Sequence, residues 1–258
     1  MPLVSIIIPC YNQGQYLAES IGSVLASDFD ALEIIVVDDG STDPATINLL
    51  EQLNYPKTKL IRQENRGLAG ARNRGIAEAQ GVYILPLDAD DRIGPSYLSQ
   101  AVAALEADPN LGIVYCRAEK FGAEQGPWKL APFSRWRMGL GNIIFCSAVY
   151  RRADWDAVGG YDETLRRGWE DWDFWLALLE LGRGGQCLPQ VGFYYRKNAG
   201  SMAAGMTAAE KLELHRRMIV AHGRFFGGWG LVLGRLLPIY YRLADSGLYR
   251  TIKKGLGR

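Results

Sequence analysis

The 258-residue sequence has little of what marks an extreme class of protein. Its four cysteines, Cys10, Cys116, Cys146 and Cys187, stand far apart and form no CxxC pair. That excludes a zinc ribbon, argues against a disulfide framework, and leads us to expect buried free thiols in a reducing compartment. Charge of one sign is also lacking: 29 Lys and Arg face 28 Asp and Glu, a formal net charge of +1, so no global basic excess would recruit nucleic acid. The amino terminus has neither the basic lead nor the long apolar core of a secretory signal, so a cytoplasmic start is expected. No GxxxxGK[ST] occurs and no GxGxxG follows the first apolar run, which removes the P-loop and the dinucleotide fingerprint. The apolar stretch at residues 225–243 is broken by glycines, Arg235, Pro238 and Arg242 and makes a poor membrane span.

What is present is an alternation. Residues 3–9 (LVSIIIP) and 32–38 (LEIIVVD) are β-branched runs without period, as in strands buried on both faces of a parallel sheet. Between them, Leu17, Ile21, Val24 and Leu25 fall on one face of a helix over residues 15–26. A helix at 44–53, a strand at 59–62, a helix at 68–79 and a strand at 82–87 continue the pattern. The fold class expected is therefore α/β, with a Rossmann-like, mostly parallel central sheet flanked by helices. Past residue 111 the rhythm becomes mixed, with strands at 113–117, 143–150 and 191–195 and a helix opening near Glu170. A polar Gly/Ala loop from Asn198 to Gly205 precedes a final amphipathic helix through His215 and His222, both expected to pack rather than to ligate. We divide the chain into one domain over residues 1–205, its donor half at about 1–110 and its acceptor half at about 111–205, and a C-terminal amphipathic helical extension over 206–258.

Open α/β sheets bind ligands beyond the carboxyl ends of their strands, so the residues just after each strand carry the interest. Asp88, Asp90 and Asp91 follow one strand. Carboxylates this close repel, and a hard divalent cation (Mg²⁺ or Mn²⁺) is the simplest means of holding them ionised together. Helix capping is the competing reading for these acids and for Asp38-Asp39-Gly40-Ser41, where Gly40 suits a turn and Ser41 or Asp43 could cap. The turn Asn65-Arg66-Gly67 opens a helix carrying Arg66 and Arg72, and free amides with guanidinium favour a diphosphate. Glu170-Asp171 begins another predicted helix, where the dipole alone would favour acids. Nearby Trp169, Trp172 and Trp175 read as core aromatics, or as a ring stacked on an acceptor or desolvating the carboxylate.

Six segments in order, SIIIPCYN, IIVVDDGSTD, ENRGLAGARNRGI, GVYILPLDADD, VGGYDE and WEDWDF, resemble the family-2 inverting glycosyltransferases of GT-A fold, over residues 4 to about 201. The resemblance implies a nucleotide-sugar donor, with a UDP-sugar leading over GDP or dTDP, and a saccharide or lipid-linked acceptor. It implies a donor site with Pro9, Tyr11 and Asn12 around the base, Asp39 facing its ring NH and Arg72 on base or phosphate. Asp88 and Asp90 fall at the ribose and diphosphate, Asp90 and Asp91 at the metal, and Asp171 at the catalytic base, beside Glu170, Trp169 and Trp172. Many relatives carry Arg-x-His after the acidic helix. Here Arg196-Lys197-Asn198 stands instead, so Arg196 or Lys197 is expected on phosphate, Asn198 as a weaker metal ligand, and the loop as a lid. A sugar-nucleotide-forming nucleotidyltransferase is a competing reading, but residues 9–14 lack the basic loop it needs. A non-catalytic nucleotide-sugar binder is another. The aromatic tail followed by Arg250, Lys253, Lys254 and Arg258 suggests peripheral membrane contact, helix packing or dimerisation.

Overall fold

The computed structural model describes residues 2–198 and 206–245. The first half of the chain is regular. β1 (Val4–Cys10), β2 (Leu32–Asp38), β3 (Thr58–Arg62) and β4 (Tyr83–Pro86) lie parallel in the order β3-β2-β1-β4. Every residue of β1 is buried, as the unbroken β-branched run requires of a central strand. Parallel strands need crossovers, supplied by α1 (Gly14–Leu25), α2 (Pro44–Glu51) and α3 (Gly67–Ala77). α1 buries Leu17, Ile21 and Val24, the positions its period marks. Cys10 pairs with Asp38 across the sheet, so the loops after β1 and β2 open side by side.

The other half departs more from its sequence expectations. After β5 (Arg92–Ile93) comes α4 (Tyr97–Ala107), which we did not anticipate, although Leu98, Ala101, Val102 and Leu105 are buried at helical spacing. Its apolar face is half alanine and valine and gives a weak periodic signal. β6 (Leu111–Gly122), β7 (Gly126–Trp128), α5 (Arg135–Leu140), β8 (Val149–Arg151), α6 (Arg152–Val158), α7 (Glu170–Glu180) and β9 (Gly184–Lys197) complete the half. Among the described residues the sheet has nine strands, running on from β4 as β8-β6-β9-β5, with β7 against β6 and antiparallel pairs on both flanks of β8. The expected strand at 143–150 is a correction: only Val149–Arg151 pairs, while Ile144 and Phe145 owe their apolarity to burial in the core. The strand expected at 191–195 extends over Gly184–Lys197, with register shifts opposite Arg117. Arg196 and Lys197 therefore lie on a strand, and only Asn198 of the expected loop falls within the described residues.

By contacts the chain separates into Met1–Ala199 and Gly200–Arg258. In the second unit α8 (Ala208–Ala221) starts at a capping box, where Thr207 accepts from the Glu210 amide and Glu210 accepts from Thr207. α9 (Gly223–Phe226) and α10 (Trp229–Asp245) follow, so among the described residues the single final helix expected is three, parted at His222 and again where Gly227 takes a positive φ. His215 is buried and its Nδ1 lies 3.1 Å from the Tyr241 hydroxyl, and His222, at the C-terminal end of α8, is buried too, as packing residues should be.

Candidate active site

At the ends of β1 and β2 the side chains bind mainly each other. Asn12, at φ +55°, donates from Nδ2 to Thr42 and accepts from the amides of Thr42 and Asp43 at 2.8 and 2.9 Å, strapping the two loops together. Pro9 is buried, whereas Tyr11 beside it is 46% exposed and presents an open ring. Asp39 is buried: one oxygen accepts from Gln63 Nε2 and the Arg66 amide, the other from the Gly67 amide at 2.9 Å. The free amides expected to cradle a diphosphate at the start of α3 are therefore taken by Asp39. The Arg66 guanidinium meets Glu163 at 2.6 Å instead. Gly40 turns at φ +74° with the Asn65 nitrogen only 2.9 Å from where a Cβ would stand, so no side chain fits there. Asp43 caps α2 by accepting from the Thr46 amide. Beyond Glu163, Asp162 accepts from the amide and hydroxyl of Thr164 in a local turn.

The end of β4 is different. Asp88, Asp90 and Asp91 crowd into one turn, closed by the Asp91 amide on the Asp88 carbonyl at 3.0 Å. Asp91 is buried; its Oδ1 accepts from the Arg196 amide at 2.8 Å, and its Oδ2 is buried without a hydrogen-bond partner. Asp90 accepts from Asn198 Nδ2 at 2.8 Å. Burial, then Asp88, pushes Asp90 up from 3.8 to about 6, against the smaller pull of Arg196 and Asn198. Asp91 is pushed well above the usual carboxylate range by burial and then by Asp88 and Asp90. Arg196 gives its Nε to the Asp90 carbonyl and its Nη2 to Glu19, and its guanidinium stacks on Phe121. It thus clamps the acidic turn to β9 and α1, a task different from the phosphate contact expected of it. The Lys197 ammonium stands 5.2 Å from the Tyr195 ring centroid.

Arg72 carries the link that the sequence reading missed. Its guanidinium is 1% exposed and donates to Asp88 at 2.8 Å and to Glu170 at 2.7 Å. Expected on a base or phosphate, it instead ties the end of β4 to the start of α7. Burial opposes its charge, but Asp88 and Glu170 outweigh that and keep it protonated. Tyr161 packs under it at 5.7 Å. The Cys146 thiol donates to the other oxygen of Asp88 at 3.5 Å. The expectation of four buried thiols holds for Cys10 and Cys116, while Cys146 is half-buried and Cys187 exposed.

At the start of α7, Gly168 and Trp169 both take positive φ, +103° and +73°. For a bulky aromatic that backbone is costly, and it occurs where the chain must deliver Glu170 and Asp171 into the helix. Asp171 is half-buried; its oxygens accept from the Trp172 amide at 2.7 Å and from Asn142 Nδ2 at 3.0 Å. Burial, then the Glu170 charge, pushes Asp171 up from 3.8 to about 7, against the pull of Arg72. Asn142 was not foreseen; a polar residue between Gly141 and the apolar pair Ile143-Ile144 is the one local signal for it. Trp172 and Trp175 are core residues, the Trp172 Nε1 donating to the Met138 carbonyl, so neither offers a face to an acceptor. Trp169 stacks edge-on against Trp172 at 5.1 Å.

The residue types suit a divalent cation. A buried carboxylate oxygen without a donor and two aspartates held against ionisation are what a nearby positive charge would relieve. Among the described residues no three His, Cys, Asp or Glu side chains form a ready-made cage. A Mg²⁺ or Mn²⁺ ion would need only one or two carboxylates here, sharing its remaining positions with substrate phosphates and water.

A family model described as "Glycosyl transferase family 2" matches residues 5–158. The chondroitin synthase of Escherichia coli is 29% identical over 188 residues, which cover 70% of this chain and only 27% of the synthase. Among solved structures, S. aureus TarS in complex with UDP-GlcNAc superposes with a TM-score of 0.71 at 22% identity, covering 84% of this chain and 66% of that one. The mannosyltransferase PcManGT from Pyrobaculum calidifontis, in complex with GDP-Man and Mn²⁺, gives 0.64 at 20% identity, covering 99% and 80%.

Proposed function

Because the chain belongs to glycosyl transferase family 2 and has the GT-A fold, we propose that it is an inverting, metal-assisted transferase with Asp171 as general base. The observation that carries this reading is the pairing of two unlike carboxylate groups across Arg72. One is short of positive charge and suits a departing diphosphate with its cation; the other is poised near neutrality and suits an acceptor hydroxyl.

In this reading Tyr11 packs on the nucleobase with Pro9 behind it, and Asn12 and Asp39 keep the base-side loops in shape. Asp88 faces the ribose and diphosphate side. Asp90 and Asp91, with the Asn198 side-chain oxygen, are the residues that would hold Mn²⁺ or Mg²⁺. When bound, the ion supplies positive charge to the leaving diphosphate. Asp171 accepts the proton of the acceptor hydroxyl; Asn142 and the Trp172 amide steady its ionised form, and Arg72 holds Glu170 so that the two acids of α7 keep their order. A single base opposite the leaving group means direct displacement and inversion at the anomeric carbon.

The donor favoured is a UDP-sugar, supported by the UDP-GlcNAc complex of TarS, with GDP-sugars the next arm to test, given the GDP-Man complex of PcManGT. The acceptor class is a saccharide or a lipid-linked saccharide. Calorimetric titration with UDP, GDP and dTDP, with and without Mn²⁺, tests the donor half of the proposal. Metal-dependent binding of one nucleotide supports it. Absence of binding to all three would return the chain to a non-catalytic reading, and donor hydrolysis with the nucleotide that binds then tests transfer.

A further inference from the structure

The charge of this chain is nearly zero only as a sum. Residues 206–258 hold ten Lys or Arg and three Asp or Glu, whereas the whole chain holds 29 and 28, which leaves residues 1–205 with an acidic excess. Between Glu213 and Asp245 there is no acid at all, and Arg250, Lys253, Lys254 and Arg258 follow in sequence.

α10 carries the second observation. It packs on α8 and buries Leu233 and Leu237, but Val232, Leu236 and Ile239, spaced i, i+4, i+7, are each more than half exposed. That spacing is one continuous apolar stripe on the helix surface. Leu231 is 76% exposed close by. Arg235 and Arg242, seven residues apart, line one border of the stripe, and both are exposed. A contiguous apolar strip at this level of exposure is unusual on a water-facing helix. No described helix is long and apolar enough to cross a membrane.

We propose that α10 docks the protein onto an anionic lipid bilayer, with Val232, Leu236 and Ile239 entering the headgroup boundary and Arg235 and Arg242 on the lipid phosphates. A helix lying in the interface needs this combination, an apolar stripe bordered by cations on an excess of positive charge. The basic excess favours an anionic bilayer over α10 pairing with the α10 of a second copy, which would bring two cationic units together. This inference does not depend on which sugar is transferred, or on whether any is.

The test is flotation of the full-length protein with vesicles of phosphatidylcholine alone and with phosphatidylglycerol added, at low and high salt. The expected result is partitioning onto the phosphatidylglycerol vesicles that weakens with salt. Arg235→Glu/Arg242→Glu should lower it by about tenfold or more, each arginine near an anionic surface being worth about fivefold. Leu236→Glu/Ile239→Glu should abolish binding even at low salt, while circular dichroism and nucleotide binding stay at wild-type level. Lack of partitioning of the wild-type protein, or full binding by the stripe variant, would overturn the proposal. So would concentration-dependent dimerisation without vesicles that the stripe variant abolishes, since the stripe would then cover a second copy.

Discussion

At the end of β4, three aspartates crowd together and one buried oxygen has no partner; at the start of α7, Glu170 and Asp171 divide their partners, one taking Arg72 and the other Asn142. The same residue types thus meet opposite conditions. The first group repels itself and gains from any added cation. In the second, burial and then the Glu170 charge outweigh the pull of Arg72, and Asp171 is left with a raised affinity for a proton. Environment rather than residue identity separates a metal-type carboxylate from a base-type one. Arg72 is what lets the two coexist, since it contacts one acid from each.

Breaking the α7 side should have the largest effect. Asp171→Asn keeps shape and removes the proton acceptor; turnover should fall by about a hundredfold to ten-thousandfold, as read by nucleotide release with a saturating donor. A variant within tenfold of wild type would remove Asp171 from the base role.

Breaking the link comes next. Arg72→Met leaves Glu170 buried and unpaired, and unfolding free energy should drop by about 3–5 kcal/mol, measured by urea titration. The double variant Arg72→Met/Glu170→Gln should recover part of that loss, because the buried charge left alone is removed with its partner. A loss below about 1 kcal/mol would mean that the bridge is not the organising contact.

The two acid groups should also differ in their response to pH. Asp171 must be ionised to accept a proton, so kcat/KM should rise with pH and level off above about 7. In Asn142→Ala the carboxylate loses its side-chain donor, and that limb should move to higher pH by about one unit. On the β4 side, folding holds the Asp90 proton more tightly than the unfolded chain does. Its contribution to stability is therefore full below the ordinary value of 3.8 and is lost as pH rises through about 6. Mn²⁺ needs the ionised forms, so the rise in Tm it produces should be larger at about pH 7.5 than at about pH 5. Equal shifts at both pH values would place the ion elsewhere.

The two halves were not equally legible in the sequence. β1, β2 and α1 could be read closely because central parallel strands are apolar throughout and their crossover helix is periodic. The acids after β4 were legible for the same reason, standing where a buried strand ends. Residues 143–148 misled because a buried loop and a strand share one composition. The partner of Arg72 was out of reach: Glu170 lies 98 positions away, and no local pattern encodes such a bridge. Asn142, reaching Asp171 from a loop, was hidden likewise. Asp39 was seen as an acid at a strand end, but not as the acceptor that closes the start of α3.

The most direct test of separate tasks for the two acid groups is the Mn²⁺ dependence of UDP affinity, measured by calorimetry in Asp171→Asn and Asp91→Asn side by side, with GDP in its place if GDP is the nucleotide bound. The account predicts wild-type affinity and metal dependence in Asp171→Asn, and weak, metal-independent binding in Asp91→Asn. Equal losses in both variants, or an unchanged metal dependence in Asp91→Asn, would contradict it.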